Sequence, residues 1–150
     1  MQGTLLPVLG VLLLSAPAAT ADPSSVVDAK FELFVTDPEE SARFYQLLGF
    51  EVAHRKEGGY TTLRTGRVVV ALSPVPSWLP LRWVGFLRHP PIGTEIVFYT
   101  RRLEELRAEL EGAGHEPGDV VRQPWGDLDF RVRDPDGYYV RVSEGTALPR

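Results

Sequence analysis

The strongest constraint on the fold is an internal duplication, because one pattern of strands and a helix occurs twice. In the first copy, a segment that alternates apolar and polar residues at 30–36 is followed by a helical pattern and then by three short alternating segments. The second copy starts at Thr94, and its helix begins about 65 residues after the first helix. The pattern therefore predicts an α+β protein of two tandem βαβββ modules, at 30–73 and 94–144.

Both helices have the features of elements that bury one face. Asp37 is a suitable N-cap, Pro38 suits the first helical position, and Gly49 ends the first helix. The predicted buried stripes are Ala42, Phe44, Tyr45 and Leu48 in the first helix and Leu103, Leu106 and Leu110 in the second. Four aromatic side chains are assigned to the core: Phe31, Phe44, Phe98 and Phe130.

Residues 1–21 have the layout of a signal peptide. An apolar run from Leu5 to Leu14 precedes a small-x-small cleavage pattern at Ala19–Ala21, and 22–29 form a short flexible lead-in. The run is shorter than the roughly 20 residues of a membrane span, and no Lys or Arg precedes it. We expect a periplasmic or secreted mature protein without a membrane span. The alternative is a misplaced start codon and a cytoplasmic protein.

The segment 74–93 joins the modules and is unusually apolar. It contains five prolines and two of the three tryptophans, Trp78 and Trp83. We expect it to cover a groove as a lid or to form a dimer contact. A short tail, 145–150, follows the second module.

Composition removes several classes of function. The chain has no cysteine, which excludes disulfides, thiolate nucleophiles and Cys-ligated metals. The formal net charge of −4 gives no electrostatic support for nucleic-acid binding. No Ser–His pair can be placed together, so no covalent mechanism is indicated.

Two motifs resemble the vicinal oxygen chelate superfamily: FVTDPEESARFYQLLGFEV in the first module and PWGDLDFRVRDPDGYYVRV in the second. This superfamily includes glyoxalase I, extradiol dioxygenases, fosfomycin-resistance enzymes and bleomycin-resistance proteins. The resemblance covers 30–144 and implies a bowl formed by curved sheets from both modules. In metal-dependent members the bowl holds a divalent ion with His and Glu ligands from the first and last strands of each module.

The metal-ligand positions that this resemblance implies carry mostly unsuitable residues. They fall on Lys30, Ala71, Glu95 and Arg141. Only Glu95 can bind a metal, because Lys and Arg offer donors and no lone pair, whereas a first-row ion needs three or four protein ligands. A register shift of two residues would add only Glu32. None of the three histidines, His54, His89 and His115, is predicted on a ligand strand. We therefore expect no cofactor, with a divalent metal as the alternative.

Arg141 suggests what replaces the ion. It lies in mid-strand on the face opposite Val140 and Val142, and we expect it to pair with Glu95, with Lys30 or Glu32 nearby. Such a site could anchor an amphipathic or anionic small molecule, or it could be a structural salt bridge without a ligand. The aromatic residues predicted to line the groove are Tyr99, Trp125, Tyr139 and Trp83.

The sequence thus favours a metal-free binding protein, similar to the bleomycin-resistance branch, that sequesters a small molecule without chemistry. The resemblance implies a homodimer with grooves at the interface. Two alternatives remain. One is a metal-dependent lyase or isomerase of glyoxalase type, a thiol transferase or a dioxygenase-type enzyme, which Glu95 favours. The other is a cofactor-free enzyme with Glu32 or Glu95 as a base.

Overall fold

The computed structural model describes residues 28–76, 78 and 94–147 and confirms the two tandem βαβββ modules. The first module consists of β1 (Phe31–Val35), α1 (Pro38–Leu47), β2 (Glu51–Arg55), β3 (Thr61–Thr65) and β4 (Val68–Pro74). The second consists of β5 (Ile96–Thr100), α2 (Leu103–Gly112), β6 (Val121–Arg122), β7 (Leu128–Arg133) and β8 (Tyr139–Glu144). The predicted signal peptide and Trp83, with most of the predicted lid, lie outside the described residues.

Each module forms its own four-stranded sheet, and the two sheets have the same topology. The strand orders are β1-β4-β3-β2 and β5-β8-β7-β6. The first and last strands of each module are parallel, while the other pairs are antiparallel. As a result, the implied metal-ligand positions on the last strands, Ala71 and Arg141, lie beside the first strand of their own module. The neighbour of Ala71 across this pair is Glu32, and the neighbour of Arg141 is Val97.

The two helices begin differently, although each follows the first strand of its module within three residues. Asp37 caps α1 as predicted, and its side chain accepts hydrogen bonds from the backbone N–H groups of Glu39 and Glu40. At the start of α2 the N-cap is Arg102, which makes no side-chain cap. Gly49 takes a φ of 87° after α1, a conformation that favours glycine.

The buried side chains of both modules join one core. Phe44, Tyr45, Leu110 and Phe130 are fully buried within it. Contacts between aromatic rings link the modules, because Phe50 of the first lies 5.2 Å, centroid to centroid, from Phe98 of the second. The apolar stripes predicted for both helices therefore face a shared interior.

The assignment of Phe31 to the core is wrong. Its side chain is 51% exposed, whereas Leu33 and Val35 on the same face of β1 are buried. Phe31 is the first residue of an edge strand, so neighbours cover it on one side only. It lies instead at the wall of a groove between the modules.

The turn between β7 and β8 of the second module forms hydrogen bonds with the first module. Asp136 is buried, and its Oδ1 accepts hydrogen bonds from the backbone N–H of Thr36 at 2.8 Å and from the Thr36 hydroxyl at 2.6 Å. The Ser41 hydroxyl donates to Oδ2 of the same carboxylate at 3.1 Å. One side chain of the second module therefore satisfies three donors of the first.

Two further residues of this turn reach the first module. The Tyr45 hydroxyl donates to Asp134 Oδ2 at 3.0 Å. The Tyr138 hydroxyl accepts from the backbone N–H of Phe34 at 3.0 Å and lies 3.2 Å from the carbonyl oxygen of the same residue. Because β1 is an edge strand, these contacts also occupy part of its free edge. Within the described part of the chain, no helix is long and apolar enough to span a membrane.

Candidate functional site

The outer face of the second sheet carries the predicted Arg141–Glu95 pair. Val140 and Val142 are fully buried in the core, so the alternation of β8 points Arg141 to the opposite face. Arg141 Nε lies 3.4 Å from Glu95 Oε2, which confirms the pairing. The Arg141 side chain is only 18% exposed and the Glu95 side chain 27%. The guanidinium is therefore held inside the protein and is not solvated freely.

Two charged residues that the sequence analysis missed complete this group. Asp129 on β7 is fully buried, and its Oδ1 accepts from Arg131 Nη1 at 2.7 Å and from Gln123 Nε2 at 2.9 Å. Its Oδ2 lies 3.7 Å from Arg141 Nη1, and Arg131 Nε lies 3.8 Å from Glu95 Oε1. We call Glu95, Asp129, Arg131 and Arg141 the Arg141 cluster. Two carboxylates balance two guanidiniums, which is what makes their burial tolerable.

The alternation of β7 contained the signal for both missed residues. In LDFRVR, Phe130 and Val132 are buried in the core, which places Asp129 and Arg131 on the outer face. Arg131 is the direct partner of Arg141 across the antiparallel pair of β7 and β8. Two arginines side by side on one face require nearby carboxylates, because like charges directly opposite each other destabilise a sheet.

Two atoms of the Arg141 cluster lack hydrogen-bond partners. Asp129 Oδ2 and Arg141 Nε are both buried and unsatisfied among the described residues. Each such atom costs about 1–3 kcal/mol relative to a satisfied one. Both atoms therefore keep unused hydrogen-bonding capacity inside the cluster, Asp129 Oδ2 as an acceptor and Arg141 Nε as a donor.

Aromatic residues border the cluster. The centre of the Trp125 ring lies 5.7 Å from Arg141 Cζ, within range of a cation–π contact, and the side chain is 60% exposed. Tyr139 lies two residues before Arg141 on the same face of β8. A cavity of about 580 Å³ adjoins Tyr139 and Arg131 at the edge of the cluster, and its described lining does not include Arg141 or Trp125. Tyr99 lies on the outer face of β5 and is partly exposed. The predicted aromatic residues within the described chain are therefore on or beside this face.

The structure does not join the first-module candidates to this cluster. Lys30 Nζ lies 2.7 Å from Glu32 Oε2 and donates to the Tyr60 hydroxyl at 2.7 Å. These hydrogen bonds, to Glu32 first and then Tyr60, raise the pKa of Lys30 to about 12. Neither Lys30 nor Glu32 forms a hydrogen bond or ion pair with Glu95 or Arg141. Lys30 and Glu32 belong to the first module and Arg141 to the sheet of the second, and the expectation that one of them lies near Arg141 stays a prediction.

The residues at the implied metal positions do not fit a metal ion. Ala71 contributes a buried methyl group, and Lys30 and Arg141 are cations engaged with carboxylates. In the described ranges no group of three or more His, Cys, Asp and Glu residues is arranged to hold a metal. His115 packs edge-on against Phe44, with 5.0 Å between ring centroids, and burial lowers its pKa. The donor set is therefore unsuitable for a divalent ion.

Solved structures with the same fold include binding proteins and an enzyme. A bleomycin-binding protein complexed with bleomycin has a TM-score of 0.58 and 21% identity and covers 81% of this chain and 100% of its own. A bleomycin resistance determinant encoded on transposon Tn5 has a TM-score of 0.60 and 20% identity, covering 80% and 98%. A lactoylglutathione lyase from Agrobacterium tumefaciens has a TM-score of 0.60 and 23% identity, covering 83% and 96%. At these identities the likeness shows the fold.

Comparison of sequences defines the family. No curated protein sequence matches this chain significantly. The model of the glyoxalase/bleomycin resistance protein/dioxygenase superfamily matches residues 29–142, which span both modules. The duplicated topology, the parallel pairing of the outer strands and this match agree, and the chain belongs to the glyoxalase/bleomycin resistance protein/dioxygenase superfamily.

Proposed function

We propose that this protein binds an aromatic-bearing anionic or amphipathic small molecule at the Arg141 cluster, without a metal ion and without chemistry. The observation that carries the proposal is the position of Arg141. A guanidinium, paired with Glu95 and facing Trp125, stands where the family resemblance implies a metal-binding carboxylate. Bleomycin-binding and bleomycin-resistance proteins are among the structures with this fold, which supports a sequestering role.

The cluster keeps donors for a ligand even though its charges balance. Each guanidinium has five N–H donors in a planar fork, and the contacts with Glu95 and Asp129 engage only some of them. An acidic or carbonyl group can therefore bind to the remaining donors while a flat ring lies against Trp125. Asp129 acts as a positioning residue in this arrangement, because it touches both arginines from a fully buried site.

We further propose a homodimer in which a second copy completes the groove. In each module one face of the sheet packs on the shared core, so the outer faces with Lys30 and with Arg141 are directed away from that core. A partner could place its first module against the Arg141 cluster. The pair of Lys30 and Glu32, which is partly exposed, would then line the same groove.

A glyoxalase-type enzyme is the second candidate, and one observation favours it. The lactoylglutathione lyase shares the fold at a TM-score of 0.60, and Glu95 retains a carboxylate at an implied ligand position. The other three positions argue against it, because Lys30, Ala71 and Arg141 provide no metal ligand.

Thermal unfolding of the purified chain separates the two candidates. We expect 2-naphthoate to raise the melting temperature and equimolar Ni²⁺ or Zn²⁺ to leave it unchanged, because only a ligand that binds the folded state stabilises it. Trp125→Ala should weaken 2-naphthoate binding about fivefold to tenfold, since an aromatic contact contributes on the order of 1 kcal/mol. Trp78→Ala is the matched control, because Trp78 is a second highly exposed tryptophan.

The opposite pattern would reject the binding proposal. Stoichiometric binding of either metal, with a raised melting temperature that Glu95→Gln abolishes, would support the enzyme. Equal losses of 2-naphthoate binding in the two tryptophan variants would show that the naphthalene ring binds elsewhere.

We also propose that the protein is exported, on the basis of the apolar run and cleavage pattern in 1–21. Expression in a bacterial host should yield a periplasmic product whose intact mass corresponds to a chain starting at Asp22. A product of full mass that stays in the cytoplasm would show that the start-codon alternative is correct.

A further inference from the structure

We infer a second binding site, in the groove between the modules along the free edge of β5, for an amphiphile with one anionic head group and an apolar tail, such as a long-chain carboxylate. This groove has a volume of about 580 Å³, within the usual range for small-molecule sites. Its lining includes neither Arg141 nor Glu95, so the inference does not depend on the proposed function.

The groove results from an asymmetry between the duplicated modules. The connection between β7 and β8 has five residues, Asp134 to Tyr138, and these fill the junction beside β1 with hydrogen bonds. The corresponding connection between β3 and β4 has only two, Gly66 and Arg67. Its flanking residues Thr65 and Val68 line the groove opposite β5, with no comparable turn to fill the space. The groove is thus the part of the junction that the shorter turn leaves open.

The wall of the groove is apolar and accessible. Seven large hydrophobic side chains are exposed among the described residues, and three of them, Phe31, Val68 and Tyr99, line this single groove. Exposed apolar residues that cluster in this way mark interaction sites, whereas scattered ones carry no meaning. Deeper apolar contacts come from Leu48, Phe50 and Phe98.

Two arginines at one end of the groove favour a ligand with an anionic head group. Where the first module has Asp37 between β1 and α1, the second has Arg101 and Arg102 between β5 and α2. Arg102 Nη2 is bound by Glu109 Oε1 at 2.7 Å, while Arg101 is exposed and forms no ion pair with another described residue. Among the described residues that line the groove none is Asp or Glu, although the chain has a net charge of −4. One available cation beside an apolar wall fits a single anionic group on an apolar tail.

Calorimetric titration with dodecanoate, below its micelle concentration, tests the inference. We expect one dodecanoate molecule to bind per chain and the uncharged dodecanol to bind more weakly. The variant Arg101→Glu should have an affinity for dodecanoate that is about fivefold to tenfold lower. Arg43→Glu is the matched control, an exposed arginine on α1 away from the groove, and should change binding less than twofold. Val68→Trp, which fills the groove without touching a charge, should also abolish binding, and Trp125→Ala should not affect it.

Three results would overturn the inference. The first is no dodecanoate binding by the wild-type chain. The second is an equal loss of dodecanoate affinity in Arg101→Glu and Arg43→Glu. The third is a Val68→Trp variant that still binds dodecanoate but has a different oligomeric state by light scattering. That result would show that the groove is an interface between copies of the chain. Because 2-naphthoate reports on the Arg141 cluster through Trp125, failure at one site leaves the other test valid.

Discussion

Replacing Asp136 with alanine is expected to lower the free energy of unfolding by about 3 kcal/mol. The Asp136 carboxylate accepts from the backbone N–H and the hydroxyl of Thr36 and from the hydroxyl of Ser41, and all these contacts cross between modules. Alanine would leave the partly buried backbone N–H of Thr36 without its acceptor, and unsatisfied buried donors cost more than a lost surface contact. Chemical denaturation at neutral pH measures the effect.

Two further variants make this prediction specific. Asp136→Asn keeps an acceptor at the Oδ1 position and should lose less than half as much stability. Asp119→Ala removes a carboxylate that is 95% exposed and should lose less than about 0.5 kcal/mol. If Asp136→Ala unfolds at the same denaturant concentration as Asp119→Ala, the β7–β8 turn does not hold the modules together.

The sequence predicted the order of elements well because that order depends on local patterns. Alternation in the strands and the cap at Asp37 depend on residues close together in the chain, and the repeat after 65 residues is the same local pattern met twice. The Asp-Pro-Asp-Gly segment was likewise recognisable as a turn. Its role at the module junction was not, because Asp136 and its partner Thr36 are separated by 100 residues.

The candidate site was predicted only in part for a similar reason. Glu95 and Arg141 were paired through the family resemblance, which fixed both positions at once. Asp129 was not predicted: the alternation of β7 places it on the outer face with Arg131, but its burial depends also on Gln123 before β7 and on Arg141 of β8. The grouping of Lys30 with Arg141 came from the single bowl that the resemblance implies, and it stays a prediction, because in one chain Lys30 bonds to Glu32 and Tyr60 of its own module.

Asp134, the first carboxylate of the β7–β8 turn, is buried, and its burial leads to a prediction about the pH dependence of stability. Asp134 is 4% exposed. Burial raises its pKa to about 7, with a smaller contribution from the neighbouring Asp136. Hydrogen bonds from the Tyr138 and Asp136 N–H groups and the Tyr45 hydroxyl oppose this rise. Burial and Asp134 itself also raise the pKa of Tyr45, so this hydroxyl stays neutral across the range considered.

The sign of the effect follows from the two pKa values. In the unfolded chain Asp134 titrates near 3.8, and in the folded protein near 7. Between these values the folded state holds a proton that the unfolded state releases, so raising the pH favours unfolding. The stabilisation is fully present below pH 3.8, falls as the pH rises towards 7, and is absent above it. The total change is on the order of 4 kcal/mol.

Asp134→Asn should remove this pH dependence, because the amide resembles the protonated acid and cannot ionise. We expect the variant to match the wild type near pH 4 and to be more stable at pH 8, measured by denaturant unfolding at both pH values. Asp136→Asn is the control, since it changes the adjacent carboxylate and leaves Asp134 free to titrate. Stability curves of Asp134→Asn and wild type that run parallel from pH 4 to pH 8 would mean that Asp134 is ionised throughout. In that case its three hydrogen-bond donors outweigh its burial.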